Sequence, residues 1–188
     1  MITNLLKGET LLDHFNKNYS KYTEYDCLET IINVIKGLAY LEKMDIIHRD
    51  IKPTNLVIKD PKKPNEVNII DFGFCQKAKH IETSSKEKNY LVGSPGFIAP
   101  EMLNGETYDT KADVFSAGVT LYIILFRKQP FYSSVKKEIL NLNKKCNVEE
   151  CLARDCAKIA PNKITMYSMN LLRQMMEKDP KNRPLASE

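Results

Sequence analysis

Leu28, Ile31, Ile32, Ile35, Leu38 and Leu41 recur at intervals of three and four residues, so residues 24–44 predict an amphipathic helix. Ile46-Ile47 then reads as a short extended piece leading into a polar loop. Leu56-Val57-Ile58 and Val67-Asn68-Ile69-Ile70 read as two strands joined by a polar turn, Lys59 to Glu66, that carries Pro61 and Pro64. Residues 76–100 show no such period. They are polar and Lys-rich, with Gly93, Pro95, Gly96 and Pro100 near their end, the composition of a long functional loop. The apolar run Ala117 to Phe126 is interrupted only by Gly118 and Thr120 and predicts a buried helix over about 110–127. It is too short for the ~20 residues a membrane span needs. Further helices are predicted over 134–145, 148–158 and 165–177, with Pro130 and Pro161 at joints between helices.

At 188 residues the chain fits one domain, and 43% hydrophobic with 28% charged residues exclude disorder. The net charge of +4 is dispersed; Lys62-Lys63, Lys136-Lys137 and Lys144-Lys145 read as solvated faces, so no nucleic-acid partner is expected. Met1 to Leu6 meets Lys7 and Glu9 before any apolar core develops, which argues against a secretory signal. The five cysteines lack paired spacing; Cys146, Cys151 and Cys156 lie five apart, which scatters them around a helix. Reduced thiols and a cytoplasmic or nuclear location are expected, with no membrane association.

The densest chemistry lies in His48-Arg49-Asp50-Ile51-Lys52-Pro53-Thr54-Asn55, with Asp71-Phe72-Gly73 sixteen residues after Asn55. Asp50 is placed to accept or orient an attacking hydroxyl, and Lys52 can neutralise charge on a transferring phosphate. Asn55 and Asp71 offer hard oxygen donors suited to Mg²⁺. If the two strands pair, these donors sit at neighbouring ends of one ribbon. The spacing is that of phosphoryl transfer from Mg-ATP.

In these motifs the chain resembles the eukaryotic protein kinases of Ser/Thr type, specifically their C-terminal lobe. Gly93-Ser94-Pro95-Gly96-Phe97-Ile98-Ala99-Pro100-Glu101 is similar to the substrate-binding loop. Asp113-Val114-Phe115-Ser116-Ala117-Gly118 is similar to the start of the central helix, with Phe115 where Trp is usual. Lys178-Asp179-Pro180-Lys181-Asn182-Arg183-Pro184 is similar to the last signature, and Leu5 to Asp13 looks like the hinge running into its first helix. The resemblance implies a mainly α (α+β) fold: a helical lobe with a short β-ribbon, residues 1–188 forming hinge and C-terminal lobe only. It also implies ATP and Mg²⁺ as cofactors and a protein Ser/Thr hydroxyl as substrate. Asn4 and Leu6 would meet adenine through their backbone, and Val57 would floor it. Ser94 would bond near Asp50 and Lys52. His48 and Phe72 would stack in the core, and Asp113 would hold the His48–Asp50 backbone. Glu101 and Arg183 would form a buried ion pair.

Three expectations concern regulation and scope. An upstream activating kinase would phosphorylate Thr83, Ser84 or Ser85, and the phosphate would dock on Arg49. Thr10 stands where the calcium/calmodulin-dependent group, the most similar one, usually has Glu, so selectivity for an upstream Arg should weaken. The sequence holds no G-x-G-x-x-G, no Val-Ala-x-Lys strand and no helical Glu partner for that Lys. It reads as a truncated kinase domain without the N-terminal β-lobe, of little activity alone. The alternative is a non-catalytic binding or scaffold module, for which an intact Asp50, Lys52, Asn55 and Asp71 set has no use.

Overall fold

The computed structural model describes residues 8–60, 63, 65–78, 92–157 and 164–188. Helix α1 (Leu11–Asn18) buries Leu11, His14 and Phe15 and runs into a 3-10 turn at Tyr19–Lys21. Helix α2 (Glu24–Lys43) begins at a capping box: Thr23 Oγ1 accepts from the Asp26 N–H, and the Asp26 carboxylate accepts from the Thr23 N–H. Its buried stripe is Cys27, Thr30, Ile31, Val34, Leu38 and Leu41. Ile32, counted in the predicted stripe, instead lies on the outer face.

Two short antiparallel ribbons follow. Strand β1 (Ile46–Ile47) and strand β2 (Leu56–Ile58) flank the polar loop; strand β3 (Val67–Ile69) pairs with β2, Leu56 opposite Ile69. Strand β4 (Gln76–Lys77) pairs with β1, Ile46 opposite Lys77. The start of the predicted 76–100 loop is thus a strand, formed by polar residues with no apolar signal, and residues 79–91 lie outside the described residues.

The helices predicted over 110–127, 134–145, 148–158 and 165–177 are found within a few residues, and a short helix at Pro100–Asn104 was not predicted. Helix α3 (Pro100–Asn104) starts on proline, whose fixed φ suits a first helical position. Helix α4 (Lys111–Phe126) is buried on every side except at Lys111 and Ile123, and it packs against α2 and α7. Helices α5 (Lys136–Lys145), α6 (Val148–Cys156) and α7 (Met166–Met175) complete the chain. The core is one cluster around α4, in which each fully buried Leu or Ile contributes about 1.5–3 kcal/mol. Cys146 ends α5 while Cys151 and Cys156 ride on α6, so the three do not share one helix. All five cysteines are free, and no group of three metal-ligating His, Cys, Asp or Glu side chains exists among the described residues. No described helix is long and apolar enough to cross a membrane.

Candidate active site

Asp113, buried in the first turn of α4, organises the loop after β1. Its Oδ2 accepts from the His48 N–H at 2.6 Å and its Oδ1 from the Arg49 N–H at 2.9 Å. Arg49 has φ 68°, a left-handed conformation that costs a non-glycine residue about 1–2 kcal/mol, and these two bonds hold it there. The expected grip on His48–Asp50 therefore falls on His48 and Arg49. Burial pushes the Asp113 carboxyl up to about 6, against the opposing pull of the two N–H groups.

The Asp50 N–H turns instead to His48 Nδ1, at 3.3 Å, while His48 Nε2 lies 2.9 Å from the Ile70 carbonyl. A carbonyl can only accept and an N–H only donate, so His48 is the neutral Nε2–H tautomer. Burial lowers its pKa in the same sense. The Phe72 ring meets the buried His48 edge-on at 4.9 Å and, itself partly buried, packs against the edge of the core.

The Asp50 side chain is 3% exposed and fully engaged. Oδ1 accepts from Ser94 Oγ at 2.7 Å; Oδ2 accepts from Lys52 Nζ at 2.8 Å and Asn55 Nδ2 at 2.9 Å. Lys52 Nζ also donates to Ser94 Oγ at 2.7 Å. Burial acts to raise the Asp50 carboxyl, yet the bonds from Lys52, Ser94 and Asn55 outweigh it and hold the group below the usual carboxylate range. Ser116 Oγ of α4 supports the Ser94 loop by donating to the Phe97 carbonyl at 2.8 Å.

Asn55 closes a 3-10 turn, Pro53–Asn55, and its carbonyl accepts from the Ile70 N–H at 2.9 Å. Asp71, the next residue, is exposed in a left-handed conformation, φ 63° and ψ 70°, and its carboxylate accepts from the Gly73 N–H. Asn55 and Asp71 thus stand at adjoining ends of the β2–β3 ribbon. With Nδ2 committed to Asp50, Oδ1 is the atom of Asn55 that can ligate.

Val57 is buried in β2, opposite Asn68 and bridged to Thr10. The segment entering α1 presses on this strand: Ile58 N donates to the Glu9 carbonyl, and a Cβ at Gly8 would sit 1.6 Å from the Ile58 carbonyl oxygen. Only glycine fits there. Asn4, Leu6, Thr83, Ser84 and Ser85 lie outside the described residues. On the far side, Arg183 donates to both Glu101 oxygens at 2.6 and 3.0 Å, with its guanidinium 5.1 Å from the Phe115 ring centre.

Residues 1–188 match the protein kinase domain family. The chain belongs to the protein kinase family. It is 36% identical over 148 residues, 79% of its length, to "Probable serine/threonine-protein kinase 2" of Plasmodium falciparum (isolate K1 / Thailand). It is 30% identical over all 188 residues to a CDPK-related protein kinase of Daucus carota. Calcium-dependent protein kinase 5 of Plasmodium berghei (strain Anka) is 35% identical over 145 residues, 77% of the chain. The chain spans 28%, 29% and 25% of these relatives' lengths, respectively.

Protein kinases use ATP and Mg²⁺. The donors present suit that ion: Asn55 Oδ1 and the Asp71 carboxylate are hard oxygens, and Mg²⁺ takes the rest of its shell from phosphate and water. Four contributors to this candidate site, three of them partners of Arg49, were not foreseen from the sequence. Arg49 donates to the Phe74 carbonyl at 2.5 Å, to Gln76 Oε1 at 2.6 Å and to Tyr108 Oη at 3.3 Å. The Ile70 carbonyl fixes the His48 tautomer, and no sequence signal marks a carbonyl, since every residue has one.

Proposed function

We propose that this chain is the hinge and C-terminal lobe of a protein serine/threonine kinase, which transfers the γ-phosphoryl of Mg-ATP to a Ser or Thr hydroxyl of a protein. The observation that carries this reading is the Asp50 carboxylate, ionised and bracketed by Lys52, Ser94 and Asn55.

Asp50 orients the attacking hydroxyl. Its lowered pKa makes it a weak base, so it takes the proton late, as the new O–P bond forms and the bond to the leaving ADP oxygen breaks. Lys52, now resting on Asp50 and Ser94, supplies positive charge to the phosphoryl oxygens. Ser94 ties the substrate loop to Asp50. Asn55 and Asp71 would hold Mg²⁺, which would neutralise phosphate charge. Val57 floors the adenine, with the Asn4 and Leu6 backbone as its edge contacts. Arg49 donates to three neutral oxygens, which supports its taking a loop phosphate placed by an upstream kinase.

The 188 residues contain no G-x-G-x-x-G, and little turnover is expected from them alone. Tested in the full-length protein that carries this chain, phosphate transfer to a Ser/Thr peptide should fall about 10²–10⁴-fold on Asp50→Asn. Transfer that survives Asp50→Asn intact overturns the reading.

A further inference from the structure

Among the described residues, Asn65 fastens the turn between β2 and β3 to α2. Asn65 Nδ2 donates to Glu29 Oε2 at 2.6 Å and Asn33 Nδ2 donates to the Asn65 carbonyl at 3.0 Å, while Thr30 Oγ1, whose nearer acceptor is the Asp26 carbonyl at 2.8 Å, lies 3.3 Å from Asn65 Oδ1. Positions 29, 30 and 33, on one side of α2, thus close on a single turn residue. Tyr25 Oη steadies the other Glu29 oxygen at 2.6 Å.

A second fastener lies two turns further along the helix. A Cβ at Gly37 would come 2.9 Å from Ile69 Cδ1, so the missing side chain is what lets β3 lie against α2. Asn65 stands just before β3 and Ile69 ends it, so the strand is held against α2 at both ends.

Ile70, directly after β3, donates its N–H to the Asn55 carbonyl, and Asp71 follows. The position of the Asp71 carboxylate relative to Asn55 Oδ1 thus depends on where β3 sits. We infer that Asn65 is a positioning residue for the Asn55–Asp71 pair, acting from the opposite end of the ribbon through its bonds to α2. The inference rests on the reading that this pair holds the divalent ion.

The substitution Asn65→Asp removes the amide donor and sets a carboxylate against Glu29. Binding of Mn²⁺ with ADP to the chain, followed by the electron paramagnetic resonance of free Mn²⁺, should weaken about tenfold, the scale of lost outer-shell support. Adding Glu29→Gln returns an amide donor to the pair and should restore affinity to within about twofold, a rescue that general destabilisation does not give. Amide hydrogen exchange over Val67–Gly73 should rise in the single variant and fall back in the double. If Asn65→Asp does not fold, Asn33→Ala removes the bond to the Asn65 carbonyl and should weaken binding about threefold.

Asp71→Asn separates the two readings. Unchanged Mn²⁺-ADP binding in that variant, or none in the parent chain, sinks the metal pair and the inference together. Binding that depends on Asp71 but is unmoved by Asn65→Asp, or not rescued by Glu29→Gln, sinks the inference alone.

Discussion

Glu101 and Arg183 form a two-point ion pair across 82 residues of sequence, with neither side chain more than 1% exposed. The guanidinium has further acceptors in the carbonyls of Glu177 and Lys111, whereas the Glu101 carboxylate has only Arg183 among the described side chains. The two partners are therefore unequal. Arg183→Met strands a buried carboxylate and should cost about 3–5 kcal/mol, while Glu101→Gln should cost less. Urea denaturation of both variants checks this, and equal losses would count against it.

Asp155 governs acid stability on the other face. Its side chain is 1% exposed, and burial would raise its pKa, but bonds from Arg154 and Tyr122 bring it down to about 2. A group depressed in the folded state stabilises above its unfolded pKa of about 3.9 and loses that contribution as pH falls toward 2. With Arg154 and Lys128 partly in solvent, the term is about 2 kcal/mol. Asp155→Asn should flatten stability between pH 4 and pH 2, read from urea midpoints across that window.

Asp113 has the opposite sign. Raised to about 6 by burial, it favours the fold most below about pH 4, and that contribution declines as pH rises through 6. Asn at this position turns an amide donor toward either the His48 or the Arg49 N–H. Asp113→Asn should cost about 2–3 kcal/mol at neutral pH and remove the slope between pH 4 and 6. Thermal unfolding at several pH values measures both.

Asn143 is fully buried in α5, and neither amide atom has a hydrogen-bond partner among the described residues. Removing an unsatisfied amide in favour of an apolar group of similar shape relieves about 1–2 kcal/mol. Asn143→Leu should raise the melting temperature by about 2–4 °C per kcal/mol recovered. A fall would mean that internal water satisfies the amide.

If a carboxylate at position 10 is what attracts an upstream Arg, Glu9 cannot take its place. Its two oxygens are taken by His14 Nδ1 at 2.7 Å and Lys17 Nζ at 2.6 Å, and Thr10 Oγ1 donates to Asp13. Under the proposed function, a peptide array should show little preference for Arg upstream of the acceptor. Thr10→Glu should create that preference.

Long elements were legible in the sequence because period and burial agree in them. The α2 stripe and the apolar run of α4 each extend over several turns, and β2 and β3 are separated by a polar segment carrying Pro61 and Pro64. The 3.6-residue period of α1 was not recognised, since its buried face is Leu11, His14 and Phe15 in only eight residues. Strand β4 consists of Gln76 and Lys77 and exists through pairing with β1 alone. Within the site, the contiguous run from His48 to Asn55 was readable by its side chains. Tyr108, Gln76 and Asn65 were not, because each reaches its partner across at least 27 residues and carries no spacing signal.

His48 joins the Asp50 N–H to the Ile70 carbonyl through one buried, neutral ring. Because that ring bonds at both nitrogens, thermal motion of the segment bearing the carboxylate is transmitted to the segment bearing Asp71. The distance between the two charged groups should fluctuate less than either group does against the rest of the molecule.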